Sequence, residues 1–390
     1  MKKMKKILAL LLTAMMVLSM AAGCSGKEAE GGAGEKKDAA KKDGDKPLIG
    51  VMFYSNTDAL GSQTYELINT AAETLGAETL WEVGNFDNDS QLAAIQNLIA
   101  AGVDGLLFQP MDYDFLPKVI DLCEEAEVYL GVMFGPIQSQ ETVEYMAQSD
   151  YFVGYSYEDE GGNAEKLVDY LYEAGRTELG VGYATPGNAL ADWANEGFDK
   201  KIEEHKMNVL AEYSNPLDNN VNTVSSNVQN FLSAYPDMNG MVFGGMGGGA
   251  GEAITQLLVD SKRDVKIVGR DIFEGMDKAF DAGVGAAFCG AVAPDGLYML
   301  SCVYNAIQGN PVSDSYVELI QPALFITSSE ECKLYEDYVN NTDNYTSVIF
   351  DKDYYLTLSK AENPELDPET IQGMMDTYNF EWISQRVGEN

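Results

Sequence analysis

From residue 47 onward, short runs rich in β-branched and aromatic residues alternate with amphipathic stretches. That rhythm leaves few architectures open. The runs LIGVMFY (48–54), TLWEV (79–83), DGLLFQ (104–109) and VYLGVMF (128–134) have the length and composition of strands. Between them, SQTYELINTAAETLG and SQLAAIQNLIAAG repeat apolar residues at helical spacing and close on glycine, which ends helices in the left-handed conformation. Strand and helix in alternation predict a parallel sheet covered by helices on both faces.

The pattern restarts after Gly161-Gly162. Strands are expected at ELGVGYA, MNVLAEY, MNGMVFG and DVKIVGR, with helices at ALADWANEGFDKKIEEH, VSSNVQNFLSAYP, GEAITQLLVD and MDKAFDAG. Two successive doubly wound sheets exceed a single core of usual size. In such sheets ligands lie beyond the carboxyl ends of the strands, so two facing sheets would share one cleft.

The amino terminus addresses the chain outward. MKKMKK is followed by fourteen mostly apolar residues, Ile7 to Met20, and then by Ala21-Ala22-Gly23-Cys24. A charged start, an apolar run too short to span a bilayer and small residues before a cysteine make an export signal. The AAGC run resembles a bacterial lipobox, which implies lipidation of Cys24, cleavage after residue 23 and an extracytoplasmic protein tethered to the cell membrane. Residues 24–46, poor in aromatic and β-branched side chains, read as a flexible stalk.

Charge narrows the partners. Without the four leader lysines, and with the stalk's six lysines and six acids cancelling, the chain beyond Lys46 carries 15 basic against 56 acidic residues, a net −41. Such a surface repels nucleic acid, so none is expected as a partner. Cys123, Cys289, Cys302 and Cys332 show no metal-like spacing, and unpaired core thiols are the expectation. The single histidine, His205, is expected at a solvated surface; alone it supports neither a triad nor a two-histidine zinc site. Asp218-Asn-Asn-Val-Asn222 lacks the glycine and the glutamate of a calcium loop and reads as turn residues; no metal is expected.

One stretch points elsewhere. MVFGGMGGGAGEAI, 241–254, packs six glycines between a strand and a helix, and Gly245 to Ala250 satisfies G-x-G-x-x-G/A, with Asp271 where a ribose-binding acid would stand. An exported NAD(P)-dependent oxidoreductase is the rival this raises. Against it, the loop follows the third strand of its domain rather than the first, and no cofactor is expected.

FDNDSQLAAIQNLIAAGVDGLLFQPMD, NEGFDKKIEEHKMNVLAEY, IVGRDIFEGMDKAFDAG and NAIQGNPV together resemble the type I periplasmic, or solute-binding, proteins of ABC importers, in the ribose- and galactose-binding branch. The likeness runs from about 49 to about 312 and implies an α/β fold of two Rossmann-like, doubly wound parallel-sheet lobes joined by a three-crossing hinge. The crossings are expected near 152–155, 289–290 and 321–327. The implied division is 47–153 plus 290–322 for the amino-terminal lobe, and 154–289 plus part of 323–390 for the carboxyl-terminal lobe and tail. The resemblance also implies a monomer without enzymatic activity that closes on a small sugar-like solute and delivers it to an ABC permease. A ligand-sensing accessory of a membrane receptor kinase is the alternative of the same fold.

Matching strand ends supply the ligand-binding candidates: Tyr54, Asn56, Asp58, Gln109, Phe134, Tyr157, Asp192, Trp193, Met246 and Asp271. Asp271 matches the aspartate with which relatives bind ligand hydroxyls. Phe134-Gly135 stands in place of an Asp-Arg pair, Asp192 in place of an arginine, and Met246-Gly247 in place of an Asn-Asp pair. These departures imply a ligand that is larger, less hydroxylated or positively charged. Beyond about 328 an aromatic tail exceeds the minimal fold, and Asp367-Pro368 predicts a helix start.

Overall fold

The structure, a computed structural model, describes residues 46–84, 87–187, 189–214 and 220–389. Cys24 and residues 218 and 219 of the 218–222 turn lie outside them, and Asn220 caps helix Val221–Ala234. The strands are β1 (Leu48–Phe53), β2 (Glu78–Val83), β3 (Gly105–Phe108), β4 (Tyr129–Val132), β5 (Phe152–Glu158), β6 (Glu178–Tyr183), β7 (Asn208–Ser214), β8 (Gly240–Phe243), β9 (Lys266–Arg270), β10 (Gly285–Gly290), β11 (Val317–Gln321) and β12 (Leu324–Ile326). They form two six-stranded sheets, ordered β11-β5-β4-β3-β1-β2 and β12-β10-β9-β8-β6-β7. The first is parallel throughout; the second is parallel except for β12, which runs antiparallel along β10.

Burial explains the order. The central strands GLLF and GMVF are buried at every residue because helices cover both faces. Edge strands β2 and β7 place charged side chains, Glu78, Glu82 and Glu212, along ladders that only one neighbour closes. All eight strands expected from composition form, and β5, β10, β11 and β12 add to them.

The chain leaves the first sheet after Glu158, returns after Gly290 to the helix Pro294–Ile307, and passes over again between Gln321 and Leu324. The first passage differs from the expected 152–155. There β5 remains paired, with β4 from Phe152 to Tyr155 and with β11 from Gly154 to Glu158. Helix Pro294–Ile307 belongs to the first lobe and is buried from Pro294 to Ala306. Gly105 and Gly131 let it lie close, since a Cβ at either would overlap Val303 or Met299.

The tail also packs mainly on the first lobe. Tyr298 and Tyr354 share a hydroxyl bond of 2.5 Å, Ser301 Oγ donates to Leu358 O at 2.6 Å, and Tyr345 bonds Tyr378 at 2.7 Å around the buried ring of Phe350. Gln372 clamps Ile320 through both backbone atoms, 2.9 and 2.8 Å, which shields the β11 edge. Asp367 caps helix Pro368–Asp376, as its sequence predicts. All four body cysteines are unpaired and buried. His205 is not simply solvated: its ring stacks on Tyr172 at 3.9 Å and bonds Asp169 at 2.5 Å.

Candidate functional site

Backbone conformation marks the site. Among the described residues, six that are not glycine hold positive φ. Glu127, Lys206 and Lys262 do so at the carboxyl ends of helices, where that conformation is ordinary. Phe134, Asp271 and Ala291, at φ 61°, 75° and 61°, stand instead just past β4, β9 and β10. Left-handed residues outside helix ends cost roughly 1–3 kcal/mol each and gather at ligand clamps.

Two of the three strained turns are held by carboxylates. Phe134 N donates to Asp295 Oδ1 at 2.9 Å, and Ser156 Oγ donates to the same oxygen at 2.7 Å. Asp271 Oδ2 accepts from Met246 N at 3.1 Å and Gly247 N at 3.2 Å. Two amides of the glycine-rich loop, those of Met246 and Gly247, therefore bind the chain's own carboxylate. The glycines serve packing: a Cβ on Gly244, Gly251 or Gly269 would overlap Ala184 N, the Phe273 ring or Met246 Sδ. Met246 is therefore fully buried beneath Gly269 and presents no thioether to the cleft, contrary to expectation.

Between the lobes lies a cavity of about 290 Å³ whose polar walls are Gln63, Glu158, Glu160, Arg270 and Asp271, with Tyr335 reaching in from the tail. Arg270 is ion-paired to Glu160, and its Nη1 donates to Gly244 O at 3.3 Å. Asn163 Nδ2 donates to Glu158 Oε1 at 2.9 Å. Burial raises the Glu158 carboxyl well above the ordinary range and neighbouring Glu160 adds to the rise; burial raises Glu160 too, against the pull of Arg270. Burial works against the guanidinium charge of Arg270, but Glu160, Asp271 and Glu158 outweigh it and hold the group protonated. Glu160 Oε2 and Gln63 Nε2 are buried without a partner.

Tyr54 is raised by burial, by its 2.8 Å bond to Asp58 and by the field of Asp271 from the second lobe. Asp58 caps helix Ala59–Leu75, accepting from Gly61 N at 2.9 Å; despite burial, bonds from Ser55, Gly61 and Tyr54 keep it below the usual carboxylate range. Asn56 is exposed in the turn before that cap.

A second cavity, about 400 Å³, joins Gln109, Tyr113 and Phe134 of the first lobe to Gly187, Ala189 and Leu190 of the second. Gln109 Oε1 is buried with no partner. The Tyr113 hydroxyl occupies the space a side chain at Gly135 would need. Phe134 packs on Phe53 with ring centres 5.1 Å apart.

Tyr157, Asp192 and Trp193 are brought together elsewhere, in a chamber of about 680 Å³ on the flank of the hinge with Tyr155, Glu196 and Glu318. Tyr157 donates to Glu318 at 3.0 Å, and burial together with that carboxylate pushes its hydroxyl up to about 12. Trp193 lies 6.0 Å from the Tyr157 ring and covers Gly161, while Asp192 accepts twice from Gly187 N at 3.1 Å. A further cavity of about 430 Å³, beside Tyr129, Phe152 and Val317, opens at the opposite ends of first-lobe strands and touches one lobe only.

The candidates thus divide. Gln109, Phe134 and Asp271 line interlobe cavities; Tyr54 lies within the field of Asp271 and bonds Asp58, with Asn56 in the same turn; Tyr157, Asp192 and Trp193 form a flanking set; Met246 is core. Sequence reasoning passed over Gln63, Tyr113, Glu158, Glu160, Arg270, Asp295 and Tyr335. Arg270 carried a signal, since it directly precedes Asp271 at a strand end; Glu158 and Glu160 sit at a crossing expected a few residues too early.

Residues 49–309 match the family model described as periplasmic binding protein domain. The ribose import binding protein of Escherichia coli strain K12 is 27% identical over 201 residues, which are 50% of this chain and 63% of that protein. The chain therefore spans less than two thirds of the length of the curated relatives it matches. A periplasmic ribose ABC transporter protein from Conexibacter woesei superposes with a TM-score of 0.62 at 16% identity, covering 75% of this chain and 95% of that one. A solute-binding protein from Actinobacillus succinogenes with bound D-allose gives 0.61 at 17% identity, over 74% and 100%.

Proposed function

This chain belongs to the periplasmic binding protein domain family, and from that premise we propose that it captures a small sugar-like solute between its two lobes and hands it to an ABC permease. The observation that carries the reading is the pair of interlobe cavities, walled by the strained strand ends Asp271 and Ala291 of the second sheet and Phe134 of the first, and by buried polar atoms that lack partners. Strain and unsatisfied groups of this kind are compensated when a ligand binds. Ligand contacts made with both lobes at once favour the closed form, and closure is the signal a permease would read.

In this reading the protein performs no chemistry, needs no cofactor and acts as an extracytoplasmic monomer tethered through a lipid on Cys24. Ribose import by the curated relative and allose binding by the structural neighbour support a carbohydrate-type solute. Occupation of the glycine loop by Asp271 counts against the oxidoreductase. A thermal-shift panel of sugars, polyols, nucleosides, amines and NAD(P) tests the reading. Stabilisation by one small solute is expected; strong stabilisation by a nicotinamide nucleotide instead, or by nothing in the panel, would overturn it.

A further inference from the structure

The charges facing the cleft do not balance. Glu158, Glu160 and Asp271 line the 290 Å³ cavity, and Arg270 is the only cationic residue on its walls. Glu160 engages that guanidinium, so among the described residues neither Glu158 nor Asp271 has an ion-pair partner of its own. The neighbouring 400 Å³ cavity adds Asp112 and no lysine or arginine. The flanking chamber adds Asp192, Glu196 and Glu318, again without a cation.

Two buried atoms on the cavity wall await partners. Glu160, 6% exposed, leaves Oε2 without a donor, and Gln63, 2% exposed, leaves Nε2 without an acceptor. A neutral hydroxyl could serve either atom, yet it brings no charge that would let the excess carboxyls ionise in the cavity. An ammonium supplies three donors and the missing charge together. The body's net −41 would also draw a cation toward the cleft and repel an anion.

We propose that the solute is a hydroxylated molecule bearing a protonated amine, of the amino-sugar class, whose ammonium lies among Glu158, Glu160 and Asp271. The proposal rests on the reading of the cleft as a solute-capture site. Hydroxyls of the same solute reach Gln63 and Gln109, whose free amide atoms lie at the first-lobe side. Because burial keeps Glu158 and Glu160 from ionising readily, the arriving cation draws a proton off them, and binding releases protons.

The test is titration calorimetry of the full chain with glucosamine, galactosamine and mannosamine, each beside its N-acetyl form and its parent hexose. At least one amine is expected to bind tenfold or more tighter than both neutral counterparts, with a preference that weakens as salt is raised. Glu158→Gln should reduce that preference at least fivefold. Should that variant not fold, titration of the unaltered chain in two buffers of different ionisation enthalpy reads the proton release directly. A hexose or N-acetyl form that binds as tightly as the amine overturns the proposal and leaves solute capture standing. Binding by no member of the panel overturns the amino-sugar proposal alone, and solute capture falls with it only if the wider thermal-shift panel is also without effect.

Discussion

Asp295 accepts the backbone N–H of Phe134 at 2.9 Å across 161 residues of sequence, fixing the strained end of β4 to the first turn of the helix that returns the chain to the first lobe. The carboxyl is 1% exposed, its second oxygen has no partner, and burial raises it to about 7 against bonds from Ser156 and Phe134 that favour the charged form. A group whose folded value exceeds its unfolded value, 3.8, keeps its proton in the native state where the unfolded chain has lost it. Its stabilisation is complete below about 4 and is lost as pH rises toward 7. Urea titrations across this range should show stability falling by up to about 1.4 kcal/mol per pH unit from this group. Glu158 and Glu160 act with the same sign, so the difference between the natural chain and Asp295→Asn isolates the Asp295 share. Parallel pH profiles for the two proteins would remove Asp295 as the source.

Asp271 binds its own loop as well as facing the cleft, and two substitutions separate those roles. Asn tolerates the left-handed conformation and still accepts from Met246 and Gly247. Asp271→Asn should therefore unfold within about 0.5 kcal/mol of the natural chain, whereas Asp271→Ala, which loses both bonds and strains φ, should cost about 2 kcal/mol. Asp271→Ala should also abolish the thermal shift from any solute that stabilises the natural chain. An undiminished shift would take Asp271 out of the site.

What could be read from the chain follows from how far apart the interacting residues lie. Strands such as GLLF and GMVF declare themselves because burial on both faces demands unbroken apolar runs. FVGYSYE and GAAFCG hide because, at the hinge and one strand in from a sheet edge, glycine interrupts both runs and tyrosine and glutamate also enter the first. At the site, the positions just past β1, β3, β4 and β9 were marked out by their place at strand ends together with the family resemblance. Met246 was misjudged because its burial depends on the missing side chain of Gly269, on another strand. Asp295 and Tyr335 were invisible, since only the third dimension brings the returning helix and the tail back to strands far earlier in the sequence.

Gly135 and Tyr113 make a steric pair. A Cβ at Gly135 would overlap the Tyr113 hydroxyl, so Gly135→Ala must displace that ring from the 400 Å³ cavity. Overpacking of this kind costs about 1–3 kcal/mol. Adding Tyr113→Phe removes the clashing oxygen and should recover at least half of the loss in chemical denaturation. Additive effects in the double-mutant cycle would show that the two side chains do not compete for that space.

Arg270 and Glu160 form the buried ion pair on which the cavity wall rests, with 17% and 7% of their side chains exposed. Removing one partner strands the other. Glu160→Leu leaves a buried guanidinium facing Glu158 and Asp271 alone, and the expected loss is about 3–5 kcal/mol. The double change Arg270→Met, Glu160→Leu exchanges both charges for apolar atoms of similar volume, so its stability should return to within about 1 kcal/mol of the natural chain. Its solute-induced thermal shift should not return, because the cavity then keeps neither the unpartnered Oε2 nor the charge beside it. If the single change costs less than about 1 kcal/mol, water reaches Arg270 freely and the cavity is not the dry, charge-bearing wall on which solute capture depends.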